Sequence, residues 1–180
     1  MKKAITLAVA LLLSGEAMAR TSLTDLYFAG GYGSNSNLNL EVGTDTRGLG
    51  WFGGFNVNLD DELDGPNLDS SFGKFPDVNV VGTGEDELFG FYTGTNYTIN
   101  HGRFDSSFGI GIDVIFSMEY QNFYDSDRIL GDGGHFHSLG DTKSDWGAVL
   151  SYRAHFRNVG FGVLYRTHEN ELVGSLSFRF

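Results

Sequence analysis

An all-β fold, a closed antiparallel up-and-down barrel of about eight strands, is predicted by three observations. Long stretches of the chain alternate apolar with small or polar residues. The segments joining them alternate between tight and long. Glycine accounts for 26 of the 180 residues, while proline occurs twice and cysteine not at all. A period of two places successive side chains on opposite faces of a strand, which no helix reproduces. Glycine at this level, without a collagen repeat or proline enrichment, belongs to a fold in which chain segments pass close together.

Taken in order, the chain opens with Lys2 and Lys3, an apolar run from Ala4 to Leu13, and the small-residue site Ala17-Met18-Ala19. This is the layout of a secretory signal peptide, and the run is too short to cross ~30 Å of hydrocarbon as an anchor. Residues 1–19 are therefore expected to be cleaved, leaving a barrel domain over 20–180 that starts at Arg20. That mature stretch holds 22 acidic and ten basic residues, a formal charge of −12. Such a charge argues against nucleic acid and anionic lipid surfaces as partners. With no disulfide available in an oxidising compartment, pairing and packing must supply the stability.

Two weak stripes come first, Leu26, Phe28, Tyr32 and Leu38, Leu40, Val42, followed by Leu49, Trp51, Gly53, Phe55, Val57, Leu59. Phe89, Phe91, Thr93, Thr95, Tyr97 and Ile99 form the next. From Phe104 to Tyr120 the period is clearest, with Phe108, Ile110, Ile112 and Val114 opposed by Ser107, Gly109, Gly111 and Asp113. Trp146 to Phe156, Val159 to Tyr165 and Leu172 to Phe180 complete the set. Tight turns are expected at 45–48, 100–103 and 157–158, and long polar loops near 60–87 and 121–144.

Composition decides which face looks inward. The polar set is rich in glycine and serine with scattered charges, which suits the narrow interior of an eight-stranded barrel. Aromatics gather toward strand ends, at Trp51, Tyr97, Phe104, Tyr120, Trp146, Phe156 and Phe180, where an interfacial girdle would lie. The apolar set then faces lipid, and short turns alternating with long loops fit a transmembrane barrel. A monomer in the outer membrane of a Gram-negative cell is the expected state.

The last strand ends on Phe180, with Leu172, Leu176 and Phe178 at alternate positions before it. In this the chain resembles the small outer-membrane barrels of the OmpA transmembrane domain and OmpX kind. The resemblance implies that Leu172, Leu176, Phe178 and Phe180 act as an assembly signal. It also implies the barrel-assembly machinery and periplasmic chaperones as partners in biogenesis, and outer-membrane lipid and lipopolysaccharide afterwards.

On the inward set, Glu41, Asp105, Asp113 and Glu119 stand against Arg153, His155, Arg166 and Arg179. Unpaired charges in a narrow interior are costly, so these are expected to pair as a polar plug. Asp113 and Arg166 fall at mid-height when counted from their tight turns, Glu41 and Arg153 lower. In the first long loop Asp60, Glu62, Asp64 and Gly65 mimic the start of a calcium loop, but Ser71 stands where a bidentate glutamate belongs. Asp60, Glu62, Asp64, His135 and His137 are thus weak metal candidates, and no cofactor is expected.

The resemblance also brings in a rival, since outer-membrane barrels include lipid A deacylases and acyltransferases that use histidine, serine and a carboxylate. The pattern gives it little: His168 is followed by Glu169 and Asn170, and His137 adjoins Ser138 in a glycine-rich loop. A narrow ion channel is the second rival. The reading favoured by the residues is a non-enzymatic surface barrel whose acidic loops meet an extracellular ligand, serving envelope integrity, adhesion or host contact.

Overall fold

The structure, a computed structural model, describes residues 26–45, 47–59, 63 and 65–180. The signal peptide with its cleavage site, and the metal candidates Asp60, Glu62 and Asp64, lie outside the described residues. Eight strands follow one another: β1 (Leu26–Gly33), β2 (Asn37–Thr44), β3 (Gly48–Asn58), β4 (Val78–Asn100), β5 (Asp105–Asp125), β6 (His135–Phe156), β7 (Val159–Arg166) and β8 (Glu171–Arg179). Each pairs with its sequence neighbour, and β1 pairs antiparallel with β8, from Tyr27↔Arg179 to Gly33↔Val173, so the sheet closes on itself. Closure removes both sheet edges, which would otherwise present unpaired backbone groups.

Short links stand at 45–47, 101–104 and 157–158 as expected, and longer ones at 59–77 and 126–134, but the links at 34–36 and 167–170 are short as well, so the alternation in length holds only in the middle of the chain. Arg157 takes a left-handed backbone, φ 59°, to make the two-residue turn between β6 and β7. The expected long loops near 60–87 and 121–144 are shorter than the sequence pattern implied. Residues 78–87 belong to β4, 121–125 to β5 and 135–144 to β6. The reason is physical. Alternation marks a strand with one buried face, and 139–144 are exposed on both faces, so backbone pairing continues there without a hydrophobic period.

By its contacts the chain divides into two compact units. The first comprises Met1–Leu59, Gly90–Val114 and Trp146–Phe180. Its outward side chains are apolar and exposed, among them Phe28, Leu40, Ile110, Ile112, Phe161 and Leu176. Its enclosed apolar residues, Tyr27, Ala29, Phe52, Tyr92, Val149, Leu164 and Val173, share the interior with charged groups. The second unit comprises Asp60–Phe89 and Ile115–Asp145. It has an apolar cluster of its own, Val78, Phe123 and Phe136, against which Leu68, Phe72 and Leu130 pack. Phe123 and Phe136 stack with centroids 5.0 Å apart. Tyr120, expected in the outer girdle, is buried in this unit.

Candidate functional site

The inward face of the first unit carries three charged clusters. In the first, Arg166 is fully enclosed, its Nε donating to Asp113 Oδ2 at 2.9 Å and its Nη1 to Glu171 Oε2 at 2.6 Å. Glu169 Oε2 lies 3.2 Å from the same Nη1. Antiparallel register sets Arg166 directly opposite Glu171 across the β7–β8 hairpin, and Asn37 donates to the other oxygen of Glu171 at 3.0 Å. A Cβ on Gly33 would come within 1.9 Å of Glu171 Oε1, so only glycine leaves room for that carboxylate.

In the second cluster Arg153 pairs with Glu41 and lies over the Tyr27 ring, 3.9 Å from its centroid. The Tyr27 hydroxyl donates to Glu41 Oε1 at 2.7 Å, and the Tyr92 hydroxyl lies 2.9 Å from both Glu41 Oε2 and Asn39 Oδ1. A cation on an aromatic face and a carboxylate holding two hydroxyls offset part of the cost of enclosure. Gly54 makes the second hydroxyl possible, since a Cβ there would sit 2.4 Å from Tyr92 Oη.

The third cluster centres on Asp45, which lies against His155 Nδ1 and accepts from Arg179 and Ser107, with Thr98 Oγ1 at 3.1 Å. Arg179 Nη1 also reaches Asp105 Oδ2 at 2.7 Å, and both of those side chains remain partly accessible. His155 Nε2 is 2.7 Å from Ser177 Oγ. Asp45, His155 and Ser177 thus have the connectivity of a charge relay. Ser177 Oγ is wholly enclosed, so the relay offers an acyl group no approach and serves to hold strands together.

Of the residues expected inside, Glu41, Asp113, Arg153, His155 and Arg166 are enclosed, and Asp105 and Arg179 are partly so. Glu119 is not. It belongs to the second unit, its side chain is 45% exposed, and it holds Lys143 Nζ at 2.6 Å. Beyond Ser117 the buried positions shift to Tyr120 and Asn122, so the parity that means interior earlier on the strand no longer does. The pattern missed Glu171, Asp45, Tyr27 and Tyr92. Glu171 was within reach, because stepping back by two from Arg179 through Ser177, Ser175 and Val173 arrives at it. Asp45 lies in a turn, where a two-residue period carries no information.

In the second unit, Asp125 accepts backbone N–H groups from Asp127, Ile129 and Leu130 at 3.0, 2.8 and 2.9 Å, which shapes the turn after β5. Asp69 caps a short 3-10 helix, Ser70–Lys74, by accepting from Ser71 N at 2.8 Å. That backbone hydrogen bond holds its carboxyl below the ordinary aspartate value. His137 is buried with Nδ1 3.0 Å from Gly65 O, and His135 is exposed against Tyr124. Among the described residues no group of three or more His, Cys, Asp or Glu is arranged to hold a metal. A cavity of about 580 Å³ is lined by residues including Ser70, Thr83, Glu85, Glu119 and Gln121, with Glu85 and Glu119 both contacting Lys143.

Charge is divided unevenly. The second unit has fifteen acidic and three basic residues, whereas the first, counted from Arg20, has seven of each. No helix among the described residues is long and apolar enough to cross a membrane.

No family model matches the chain, and no curated protein matches it. Among solved structures it is similar to the N-terminal β-barrel domain of Pseudomonas aeruginosa OprF, at 12% identity and TM-score 0.42 over 87% of this chain and 96% of that one. It is similar to Neisserial surface protein A at 12% identity and TM-score 0.36, over 87% and 94%. It is similar to Ail of Yersinia pestis, solved with the heparin analogue sucrose octasulfate, at 10% identity and TM-score 0.32, over 87% and 95%. None of the three is near enough in sequence to lend a residue's role to this chain, whose architecture rests on its own strand order: a closed, eight-stranded, antiparallel β-barrel.

Proposed function

We propose that the chain is an outer-membrane barrel of Gram-negative bacteria that neither conducts nor catalyses, and that presents its acidic second unit to the exterior as a contact surface. The observation that carries this is the inverted sidedness of the first unit, where ionised side chains are enclosed and large apolar ones exposed. A water-soluble barrel has the opposite arrangement, and exposed apolar area on this scale is stable only in lipid. Side chains as large as Arg166, Tyr27, Phe52 and His155 fill the interior, which supports a plug over a pore. A unit with fifteen acids and three bases belongs in water.

Fractionation of the native host, protease treatment of intact cells and planar-bilayer recording test this together. The protein is expected in the outer-membrane fraction with heat-modifiable gel mobility, with cleavage confined to the second unit and no discrete conductance. Recovery in the soluble fraction, or regular current steps from the purified protein, would overturn the reading.

A further inference from the structure

We propose that the second unit is a docking surface for a cationic, amphipathic polypeptide segment. This deepens the contact role above and rests on it. Phe75 and Ile129 are 53% and 79% exposed, yet both stand on ordered supports. Phe75 lies 5.9 Å from Phe72, which packs on the Val78, Phe123, Phe136 cluster. Ile129 N donates to Asp125 at 2.8 Å, and the next residue, Leu130, packs on the same cluster. The two corners are tied together, since Ser126 N and Oγ both donate to Asp77 O, at 3.0 and 2.9 Å. The fold therefore packs the partly buried Phe72 and Leu130 on the cluster and leaves their large apolar neighbours in water, as at an interaction site.

Charge selects the occupant. Fifteen acids against three bases repel anionic headgroups and phosphates and attract a polycation. The unit already accommodates an ammonium, for Lys143 Nζ sits 2.5 Å from Glu85 and 2.6 Å from Glu119, and both carboxylates remain about half exposed. Their cavity is also lined by Ser70, the first residue of the 3-10 helix that leads to Phe75. At ~2 Å per residue that helix spans about 10 Å, so one amphipathic ligand helix reaches both features within two turns. Its apolar face covers Phe75 and Ile129 while its basic side chains meet Glu85, Glu119 and the carboxylates around them.

The test uses the folded protein in phosphatidylcholine nanodiscs, titrated calorimetrically with a synthetic amphipathic leucine-lysine peptide, with empty discs subtracted. Leucine-glutamate and serine-lysine peptides of equal length serve as controls. Saturable binding is expected for the leucine-lysine peptide alone, weakening at high salt. It should fall about tenfold in the Phe75→Ser/Ile129→Ser variant, the loss expected from partial burial of two apolar side chains. Glu85→Gln/Glu119→Gln leaves the apolar corners intact and should reduce both affinity and salt dependence. Unchanged affinity in both variants, or equal binding of the leucine-glutamate peptide, would overturn the proposal while heat-modifiable mobility left the barrel reading standing. Absence of that mobility in the unaltered protein would count against the barrel reading instead.

Discussion

Replacing Arg166 tests how the interior of the barrel is held together. Its guanidinium serves Asp113 at 2.9 Å, Glu171 at 2.6 Å and Glu169 at 3.2 Å, and the Arg166, Asp113 and Glu171 side chains are fully enclosed. Arg166→Gln leaves three carboxylates together without their shared cation. Removing one partner from a buried pair costs ~3–5 kcal/mol, and with two enclosed partners stranded at once the loss should approach the upper figure. Asp113→Asn is a different perturbation, because Arg166 keeps Glu171 and Glu169. The charge-assisted hydrogen bond that weakens contributes ~1.5–3 kcal/mol. Carboxylates held on one guanidinium lie within about 8 Å of each other, and at an effective dielectric constant of 20 their repulsion is about 2 kcal/mol. Relief of that repulsion offsets most of the loss, so Asp113→Asn should cost about 1 kcal/mol or less. Urea unfolding in lipid vesicles, followed by the fluorescence of Trp51 and Trp146, reads the difference. The triple variant with Asp113→Asn, Glu171→Gln and Arg166→Gln should recover much of what Arg166→Gln alone loses. Equal losses for the two single variants, or no recovery in the triple, would refute the charge count at this site.

Ile112 is exposed beside enclosed Asp113, so Ile112→Arg should lower stability in lipid by ~2–4 kcal/mol and exceed Asp113→Asn; equal urea midpoints would contradict the assigned facing. Phe180 is exposed, with its N–H bonded to Leu26 O at 3.0 Å and its ring edge-on to Phe28. Its deletion should cost a refolded barrel at most a few kcal/mol while sharply reducing assembled protein in cells, and normal outer-membrane levels would refute an assembly role. Because Asp69 titrates below its ordinary value, its stabilisation of the 3-10 helix is complete above the unfolded value near ~3.9 and is lost as pH falls through the lower folded value. The Ser71 amide shift in NMR should follow that acid transition and become insensitive to it in Asp69→Asn; a transition above the unfolded value would reverse the sign of the argument.

Strand existence was legible from a period of two, and facing from the glycine, serine and charge content of one of the two faces. Parity put Asp113, Arg166, Glu41 and Arg153 on the inward set, and the structure brings them together as two separate pairs. The same reasoning failed where its condition failed. Glu119 has inward parity but lies where Tyr120 and Asn122 are the buried neighbours, and the stretches 78–87 and 135–144 looked like loops because no apolar stripe runs along them beyond Val78 and Phe136.

The sequence by itself determined the all-β class, a count of about eight strands, the apolar stripes and the supply of charges on the opposite face, all of which are local periodicities and compositions. Only the tertiary structure decided that Glu171 and Glu169 join Arg166, that Asp45 gathers His155, Arg179 and Ser107 from three other strands, and that Leu68, Phe72, Val78, Phe123, Leu130 and Phe136 form a separate core. Those groupings depend on register between strands and on which turn residues fold inward. Register is set by the joint packing of all neighbours around a closed sheet, so no single strand's sequence contains it.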